Sequence, residues 1–358
     1  AGPLVVAPIA RTPGKDDISP DGFVPPVYGK LSPTEDLRLG LGINAPFGLV
    51  TDNDPNWIGR YHAVTSELTT ININPVAAYR LTPWLSLGGE LKAQYIDARL
   101  TNAVDMGAVF LGAGGVGTAD GFADLTGDDW GFGYNFGVMI HPTDDFRVGL
   151  AYRSQINHVL EGDVDFTVPG AMAGAAAATG LFADTGVKAS VTTPASVSVG
   201  AHWDINERWS VMGEFELTEW SDFDELRIRF DNPAQPDSVT PENWDNTYFV
   251  ATGVTFRPNE DIDLRAGVAF DQSPIPDAFR TPRIPGEDRY WVAFGAGWEP
   301  YDWLKLDFGY THIFVGDGDV DLKGNLANPA DPNRFRGNLS GTFENSVDIV
   351  TVQGRITF

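Results

Sequence analysis

The sequence lacks cysteine, has few basic residues and contains no long apolar run. Because none of its 358 residues is Cys, disulfides, thiolate catalysis and Cys-ligated metal sites are excluded. Lys and Arg together number 24 against 49 Asp and Glu, and the formal net charge of −25 disfavours nucleic acid as a partner. Proline and glycine interrupt even the most apolar stretch, 168–187. No run therefore reaches the ~18 apolar residues of a transmembrane helix.

Glycine, aromatic residues and alternating side chains are abundant. The chain contains 40 Gly, and 12% of its residues are aromatic. Apolar residues alternate with polar or small ones in segments such as 130–140, 146–156, 262–271 and 350–358. This period of two predicts β-strands whose two faces meet different environments. A soluble β-sandwich and an outer-membrane β-barrel both produce such alternation, so the turns and loops must distinguish them.

Short turns alternate along the chain with much longer connections. The short turns lie at 32–36, 81–83, 142–145, 204–207, 258–261 and 299–302, and the long connections at roughly 45–65, 100–127, 167–188, 231–245, 272–288 and 316–344. Aromatic residues such as Trp84, Trp203, Trp209 and Trp303 flank the short turns. Outer-membrane barrels have short periplasmic turns, long extracellular loops and aromatic girdles. The pattern predicts an all-β fold, a transmembrane antiparallel β-barrel in a bacterial outer membrane. Residues 1–358 would form one domain with extended extracellular loops at 100–127 and 167–188.

The alternating segments number thirteen, which is an odd count for this class. Single-chain bacterial barrels have an even number of strands and both termini in the periplasm. The last segment, 345–358, ends on the side of the short turns, whereas the first, 23–31, runs towards a short turn and so begins outside. One outward strand is missing at the amino end by this count. We therefore expect a truncated form of a fourteen-stranded barrel.

Several stretches resemble the outer-membrane long-chain fatty acid transporter family (the FadL family), which includes importers of aromatic hydrocarbons. The similar stretches are 46–49 (PFGL), 57–61 (WIGRY), 66–81 (SELTTININPVAAYRL), 150–154 (LAYRS), 218–221 (TEWS) and, most specifically, 267–291 (GVAFDQSPIPDAFRTPRIPGEDRYW). The resemblance implies fourteen strands and an amino-terminal hatch that has no counterpart here.

The resemblance also implies a function, which is passive uptake of hydrophobic small molecules. The expected ligands are long-chain fatty acids or similar hydrocarbons, which would leave water at the loops, bind in the lumen and exit sideways into the membrane. We expect no enzyme activity and no cofactor. The expected surroundings are outer-membrane lipid and lipopolysaccharide, with the chain as a monomer.

Arg153 is the first candidate ligand-binding residue. It lies on the polar face of the segment 145–166, so its side chain should point into the lumen. A lumenal guanidinium can receive a fatty-acid carboxylate through charge-assisted hydrogen bonds. The alternative is an ion pair with a neighbouring acid, which is common in polar barrel interiors. The resemblance favours the ligand role, because its Tyr-Arg-Ser match falls on this residue.

Two of the predicted extracellular loops are unusually apolar. The candidate ligand-binding residues in them are Val109, Phe110 and Leu111 in one loop and Met172, Leu181 and Phe182 in the other. Apolar surface on an outer loop suggests a capture groove for a hydrophobic ligand. The alternative is that the two loops pack on each other as a cap.

The stretch Asn44, Ala45, Pro46, Phe47 and Gly48 breaks the alternation that precedes it. Proline has no N–H for a neighbouring strand and is confined to edges and bulges of sheets. This break is either the end of a strand or a kink that leaves a gap in the barrel wall. In the family that the chain resembles, a kink at this position opens the wall, and we therefore expect a lateral opening lined by Phe47.

No catalytic or metal site is expected from the sequence. Asp317, Asp319 and Asp321 resemble the start of a calcium loop, but the required Gly and the closing Glu are absent. The five His residues show no metal spacing, and no nucleophile motif is present. Two other functions remain open: a general diffusion porin, and a structural or adhesive barrel whose loops bind a partner.

Overall fold

The computed structural model describes residues 17–357, most of which lie in β-strands. The strands are β1 (Val27–Leu31), β2 (Leu37–Asn44), β3 (Gly48–Asp52), β4 (Thr65–Thr82), β5 (Leu85–Asp105), β6 (Asp120–Ile140), β7 (Phe146–Arg153), β8 (Ile156–Thr167), β9 (Thr185–Thr193), β10 (Ser196–Asp204), β11 (Trp209–Thr218), β12 (Glu225–Phe230), β13 (Ser238–Pro241), β14 (Thr247–Asn259), β15 (Ile262–Asp271), β16 (Arg289–Tyr301), β17 (Leu304–Val315), β18 (Gly318–Leu322), β19 (Leu339–Phe343) and β20 (Ser346–Ile356). Two short helices, α1 (Met106–Leu111) and α2 (Ala173–Thr179), lie between strands. Neither is long and apolar enough to cross a membrane, and the same is true of every helix in the described range.

In residues 17–357, one 18-stranded antiparallel sheet contains all strands except the β18–β19 hairpin. Five of its positions hold two strands in series, which are β2 with β3, β7 with β8, β9 with β10, β11 with β12, and β13 with β14. The described part of the sheet therefore has thirteen spanning positions, as the alternating segments of the sequence predict. Within residues 17–357 no pairing joins β1 to β20, so these two strands are the edges of the sheet.

The strands β5 and β6 extend well beyond the expected spans. They pair continuously from Leu85↔Ile140 to Asp105↔Asp120, so the irregular part of the predicted loop 100–127 is only its tip. That tip holds α1 and a 3₁₀ turn at 112–115. A β-strand rises ~3.4 Å per residue. A strand of 21 residues is therefore much longer than the thickness of a bilayer. The two strands therefore form a ribbon that stands above the membrane-spanning part of the sheet.

The two faces of the sheet differ as the alternation predicts. Large apolar side chains on the outer face are exposed, for example Leu91, Phe132 and Val268. The aromatic residues beside the short turns are exposed as well, and Tyr301 and Trp303 stack with their ring centroids 5.5 Å apart. An apolar outer band with aromatic side chains at its rim is the surface that lipid covers in outer-membrane barrels.

The inner face carries a hydrogen-bonded polar seam. Gln94 Nε2 donates to Asn72 Oδ1 at 2.8 Å, and Gln94 Oε1 lies 2.9 Å from His158 Nε2. Thr193 Oγ1 also donates to Gln94 Oε1, at 3.2 Å. The four side chains are buried and belong to β4, β5, β8 and β9. Because buried polar groups are costly unless they are paired, this seam fixes the strands around it in one arrangement.

Candidate functional site

The two apolar loop tips pack against each other. The rings of Phe110 and Phe182 meet edge to face at 5.8 Å between centroids, and Phe166 contacts Phe182 at 5.4 Å. Met106 and Met172 are buried in the same cluster. Asp105 holds the tip of the first loop in place, because its carboxylate accepts hydrogen bonds from the backbone N–H groups of Ala108 and Gly117.

A cavity of about 780 Å³ lies beside this cluster. One part of its wall is apolar and contains Leu100, Val104, Val109, Leu125, Phe166, Leu181, Phe182, Ile228 and Phe230. Its volume falls within the range of pockets that hold a small molecule. Of the six loop residues predicted from the sequence, Val109, Leu181 and Phe182 line the cavity, whereas Phe110 and Met172 pack in the cluster beside it. Leu111 is 59% exposed and faces outside.

Two arginines, Arg283 and Arg336, border the polar part of the cavity. Arg283 donates to Ser66 Oγ at 3.0 Å and to Asn102 Oδ1 at 3.2 Å. Arg336 donates to Thr240 Oγ1 and Ser238 Oγ, both at 3.2 Å. All of these acceptors are neutral, and no described carboxylate forms a salt bridge with either guanidinium. A pair of cations held by neutral groups beside an apolar cavity is suited to receive an anionic head group with an apolar tail.

Glu242 is the acid that acts electrostatically on both arginines. Burial raises the pKa of Glu242 to about 7, against the lowering effects of a hydrogen bond from Trp244 and of the two arginines. Burial and repulsion by Arg336 lower the pKa of Arg283 to about 9. Burial also lowers the pKa of Arg336. Near neutral pH these three side chains therefore carry two positive charges and at most one negative charge, while Asp105, Asp237, Asp331 and Arg334 also line the large cavity.

Arg153 lies elsewhere, in a separate cavity of about 310 Å³ in the membrane-spanning part. Its neighbours there include Lys92, Asn44 and Pro46, so the structure brings Arg153 together with the predicted lateral opening. Among the residues from 17 to 357 no acid forms a salt bridge with Arg153, and its Nε has no hydrogen-bond partner. The alternative interpretation of Arg153, an ion pair with a neighbouring acid, is therefore not found between residues 17 and 357.

The sheet is irregular at the predicted lateral opening. Pairing of β2 with β4 ends at Asn44↔Asn72, and pairing of β3 with β4 begins at Gly48↔Thr69. Three residues, 45–47, thus oppose two on β4, which is a β-bulge. Phe47 stays bonded to Thr70, whose N–H and hydroxyl both donate to the Phe47 carbonyl at 3.2 and 2.8 Å. On the other side β1 reaches only Ile43, and in the described range no strand pairs there with residues 44–49.

A line of aromatic rings runs from this bulge to the charged group above it. Phe47 meets Trp220 at 6.0 Å between centroids, and Trp220 meets Trp244 at 5.0 Å. Trp244 Nε1 donates to Glu242 Oε2 at 3.1 Å. The rings therefore connect the surroundings of the arginine pair with the break in the wall, although Trp220 follows β11 on a different part of the sheet.

The described residues contain no cluster of metal-binding side chains. Between residues 17 and 357 no group of three His, Cys, Asp or Glu could hold a metal ion. Asp319 accepts a hydrogen bond from Thr342, and Asp321 pairs with Lys323.

The comparisons with known proteins identify the family. The family model described as outer membrane protein transport protein (OMPP1/FadL/TodX) matches residues 7–358. The chain belongs to this family. It is 33% identical over 356 residues to an outer membrane protein of Neisseria meningitidis serogroup B, a match that covers 92% of this chain and 76% of that protein. It is 25% identical over 340 residues to the long-chain fatty acid transport protein of Escherichia coli strain K12, covering 86% and 74% of the two chains.

A solved structure agrees with the family assignment. The crystal structure of a Pseudomonas aeruginosa FadL homologue superposes with a TM-score of 0.81 at 25% identity, covering 92% of this chain and 77% of that one. The chain is therefore a bacterial outer-membrane protein with a β-barrel fold of a transport family, as the sequence predicted, and its relatives are transport proteins rather than enzymes.

The sequence interpretation missed Arg283 and Arg336. Arg283 lies inside the most specific stretch of family resemblance, 267–291, which was a usable signal. Arg336 lies in the long connection before β19, where nothing in the sequence marks it.

Proposed function

We propose that this chain carries long-chain fatty acids, or similar hydrophobic acids, passively across the outer membrane. The observation that supports this proposal most is a cavity of about 780 Å³ with an apolar wall on one side and, on the other, two arginines whose hydrogen-bond partners among residues 17–357 are neutral. Each methylene that leaves water contributes ~0.8 kcal/mol, so the apolar wall can hold an alkyl chain without a dedicated polar pocket. The arginines would select a carboxylate at its end.

The proposed route has three stages. Ligand leaves water at the loop cluster around Phe182, binds in the large cavity with its carboxylate at Arg283 and Arg336, and then moves past Trp244 and Trp220 towards the bulge at Phe47. Arg153 and Lys92 lie beside that bulge and would hold the carboxylate last. Exit through the wall would transfer the alkyl chain directly into lipid and avoid the unfavourable step of returning it to water.

We also propose that outer-membrane lipid surrounds the barrel and that lipopolysaccharide surrounds its loop end. The exposed apolar side chains of the outer face support this proposal. A monomer is the proposed assembly, because one chain supplies all residues of the proposed route.

Phe182→Asp tests the loop stage of this proposal. Phe182 is 8% exposed and contacts both Phe110 and Phe166, so a charge there should weaken fatty-acid capture by about tenfold or more through lost apolar burial. Binding of radiolabelled hexadecanoate measures the effect, and Leu111→Asp on the outer surface is the matched control. Equal affinities for the two variants and the unchanged protein would assign the cluster a purely structural role as a cap.

Arg153→Ala tests the last stage. If Arg153 holds the carboxylate before release, its loss should slow delivery of hexadecanoate but not of hexadecane, by a factor that corresponds to ~1.5–3 kcal/mol. Delivery of each ligand to acceptor vesicles can be followed separately. Equal slowing of both ligands would exclude a carboxylate role for this residue.

The pH dependence of binding should follow Glu242. Its pKa is raised to about 7 by burial, so it takes up a proton as the pH falls from about 8 to about 6 and stops competing for the arginines, while the ligand carboxylate stays ionised. Hexadecanoate should therefore bind several-fold more tightly at the lower pH, and Glu242→Gln should remove this dependence. Glu161→Gln, on an exposed acid paired with Lys188, is the control. A pH dependence that persists in Glu242→Gln would place the titrating group elsewhere.

A further inference from the structure

A second, smaller chamber lies on the other side of the arginine pair. It has a volume of about 270 Å³ and shares six residues with the large cavity, which are Arg283, Arg336, Thr240, Pro241, Asp331 and Pro332. Its remaining wall includes His62 and Thr281. A carboxylate held between the arginines would therefore lie at the boundary of the two spaces, with the polar side chains of His62 and Thr281 on the side of the small chamber.

Two buried polar atoms in this chamber have no protein partner. His62 is 5% exposed and Thr281 is 7% exposed, and within the part of the chain that the structure describes neither His62 Nε2 nor Thr281 Oγ1 forms a hydrogen bond. Leaving such an atom unpaired costs ~1–3 kcal/mol, so sites of this kind require an explanation. Burial and the two nearby arginines lower the pKa of His62 to about 3, so its ring is neutral and one nitrogen can accept a hydrogen bond.

Two of the other polar side chains of the chamber, Lys323 and Asp331, have partners outside the unpaired pair. Lys323 pairs with Asp321 at 2.8 Å, and Asp331 accepts hydrogen bonds from the backbone N–H groups of Asn325 and Asn333. Among the buried side-chain atoms of the chamber in residues 17–357, the two without a hydrogen-bond partner are therefore one hydroxyl and one imidazole nitrogen, which lie next to the two arginines. A ligand hydroxyl is the group that matches both, since it donates one hydrogen bond and accepts another.

We infer that the small chamber is a subsite for a hydroxyl group close to the carboxylate, and that the protein prefers long-chain 2- or 3-hydroxy acids over unsubstituted fatty acids. The inference rests on the proposed binding of an acid between Arg283 and Arg336. The carboxylate would bind the arginines, the alkyl chain would lie in the large cavity, and the hydroxyl would accept from Thr281 Oγ1 and donate to His62 Nε2. Water can fill the chamber in the free protein, and the ligand hydroxyl would replace it.

The experiment compares the affinities of three acids for the detergent-solubilised full chain: hexadecanoate, 3-hydroxyhexadecanoate and 16-hydroxyhexadecanoate. We expect the 3-hydroxy acid to bind about fivefold to tenfold more tightly than hexadecanoate, which is the range of one or two net hydrogen bonds, and the terminal hydroxy acid to gain nothing. Thr281→Val and His62→Phe should each bring the ratio of the first two affinities close to one. Thr179→Val makes the same chemical change on the exposed face of α2 and should keep the ratio.

Each outcome decides between the two claims. Equal affinities of the unchanged protein for hexadecanoate and its 3-hydroxy derivative overturn the subsite, as does a preference that survives both substitutions. A gain for the 16-hydroxy acid as large as that for the 3-hydroxy acid would also overturn it, because the hydroxyl would then be recognised elsewhere. Absence of any hexadecanoate binding would contradict the proposed function itself. If a variant fails to fold, the comparison of the three acids with the unchanged protein still gives the answer.

Discussion

Replacing Arg283 and Arg336 together by glutamine should weaken hexadecanoate binding by about 100-fold or more, because hydrogen bonds to charged groups contribute ~1.5–3 kcal/mol each. Binding of hexadecanol, which has the same alkyl chain and no charge, should change by less than about threefold, because the apolar wall is unaltered. The difference between the two ligands therefore reports the charge contribution alone. Glutamine keeps hydrogen-bond donors near Ser66 and Thr240, which limits damage to the loops.

The matched control for this pair is Arg99→Gln. Arg99 stands on the extended β5–β6 ribbon and is paired with Asp124 at 2.7 Å, so its charge is already neutralised and its loss should leave hexadecanoate binding unchanged. An equal loss of hexadecanol and hexadecanoate in the double variant would show that the substitutions disturb the cavity rather than remove a carboxylate site. Unchanged binding of both ligands would remove the arginine pair from the site.

Deleting Ala45 and changing Pro46 to Val should slow delivery of fatty acid to the membrane by about tenfold or more while leaving binding intact. The bulge sets three residues of one strand against two of its neighbour, so removing one residue lets β2 and β3 continue as one regular strand. The new Val supplies the N–H that Pro46 lacks. Before the bulge the even-numbered residues, such as Gly42, face inward, and after it the odd-numbered residues, such as Thr51, face inward. Deleting one residue restores the same alternation along the whole strand.

The control for the wall is Pro75→Val. Pro75 lies on the neighbouring strand β4, faces outward and pairs in regular register with Leu41. Its replacement therefore removes a proline without altering the bulge. Delivery at the full rate through the deletion variant, with hexadecanoate still bound, would contradict a lateral exit and favour an axial path to the periplasm.

The strand order and the family could be predicted from the sequence because their signals are local. Each short turn and each alternating segment can be recognised from its own residues, and between residues 17 and 357 the structure confirms thirteen spanning positions. The length of β5 and β6 could not be predicted, since their outer parts are rich in Asp, Gly and Ala and have few of the β-branched residues that identify strands.

The arginine pair shows why the site was only partly predictable. Arg283 and Arg336 come from different loops, and only Arg283 lies in a stretch of family resemblance, so only the folded chain shows that they border one cavity. The apolar loop residues were easier, because exposed apolar side chains on an outer loop need a partner wherever they lie. For the same reason their composition could not separate packing from binding, and the structure shows Phe182 in both the cluster and the cavity wall.

The most direct test of the proposed transport function measures fatty-acid delivery and sugar permeation in the same proteoliposomes. We expect the protein to accelerate transfer of hexadecanoate from water into the vesicle membrane and to leave the rate of sugar-driven swelling close to that of empty vesicles. Rapid swelling with sugars, together with no acceleration of hexadecanoate transfer, would contradict the account and identify the chain as a general diffusion porin.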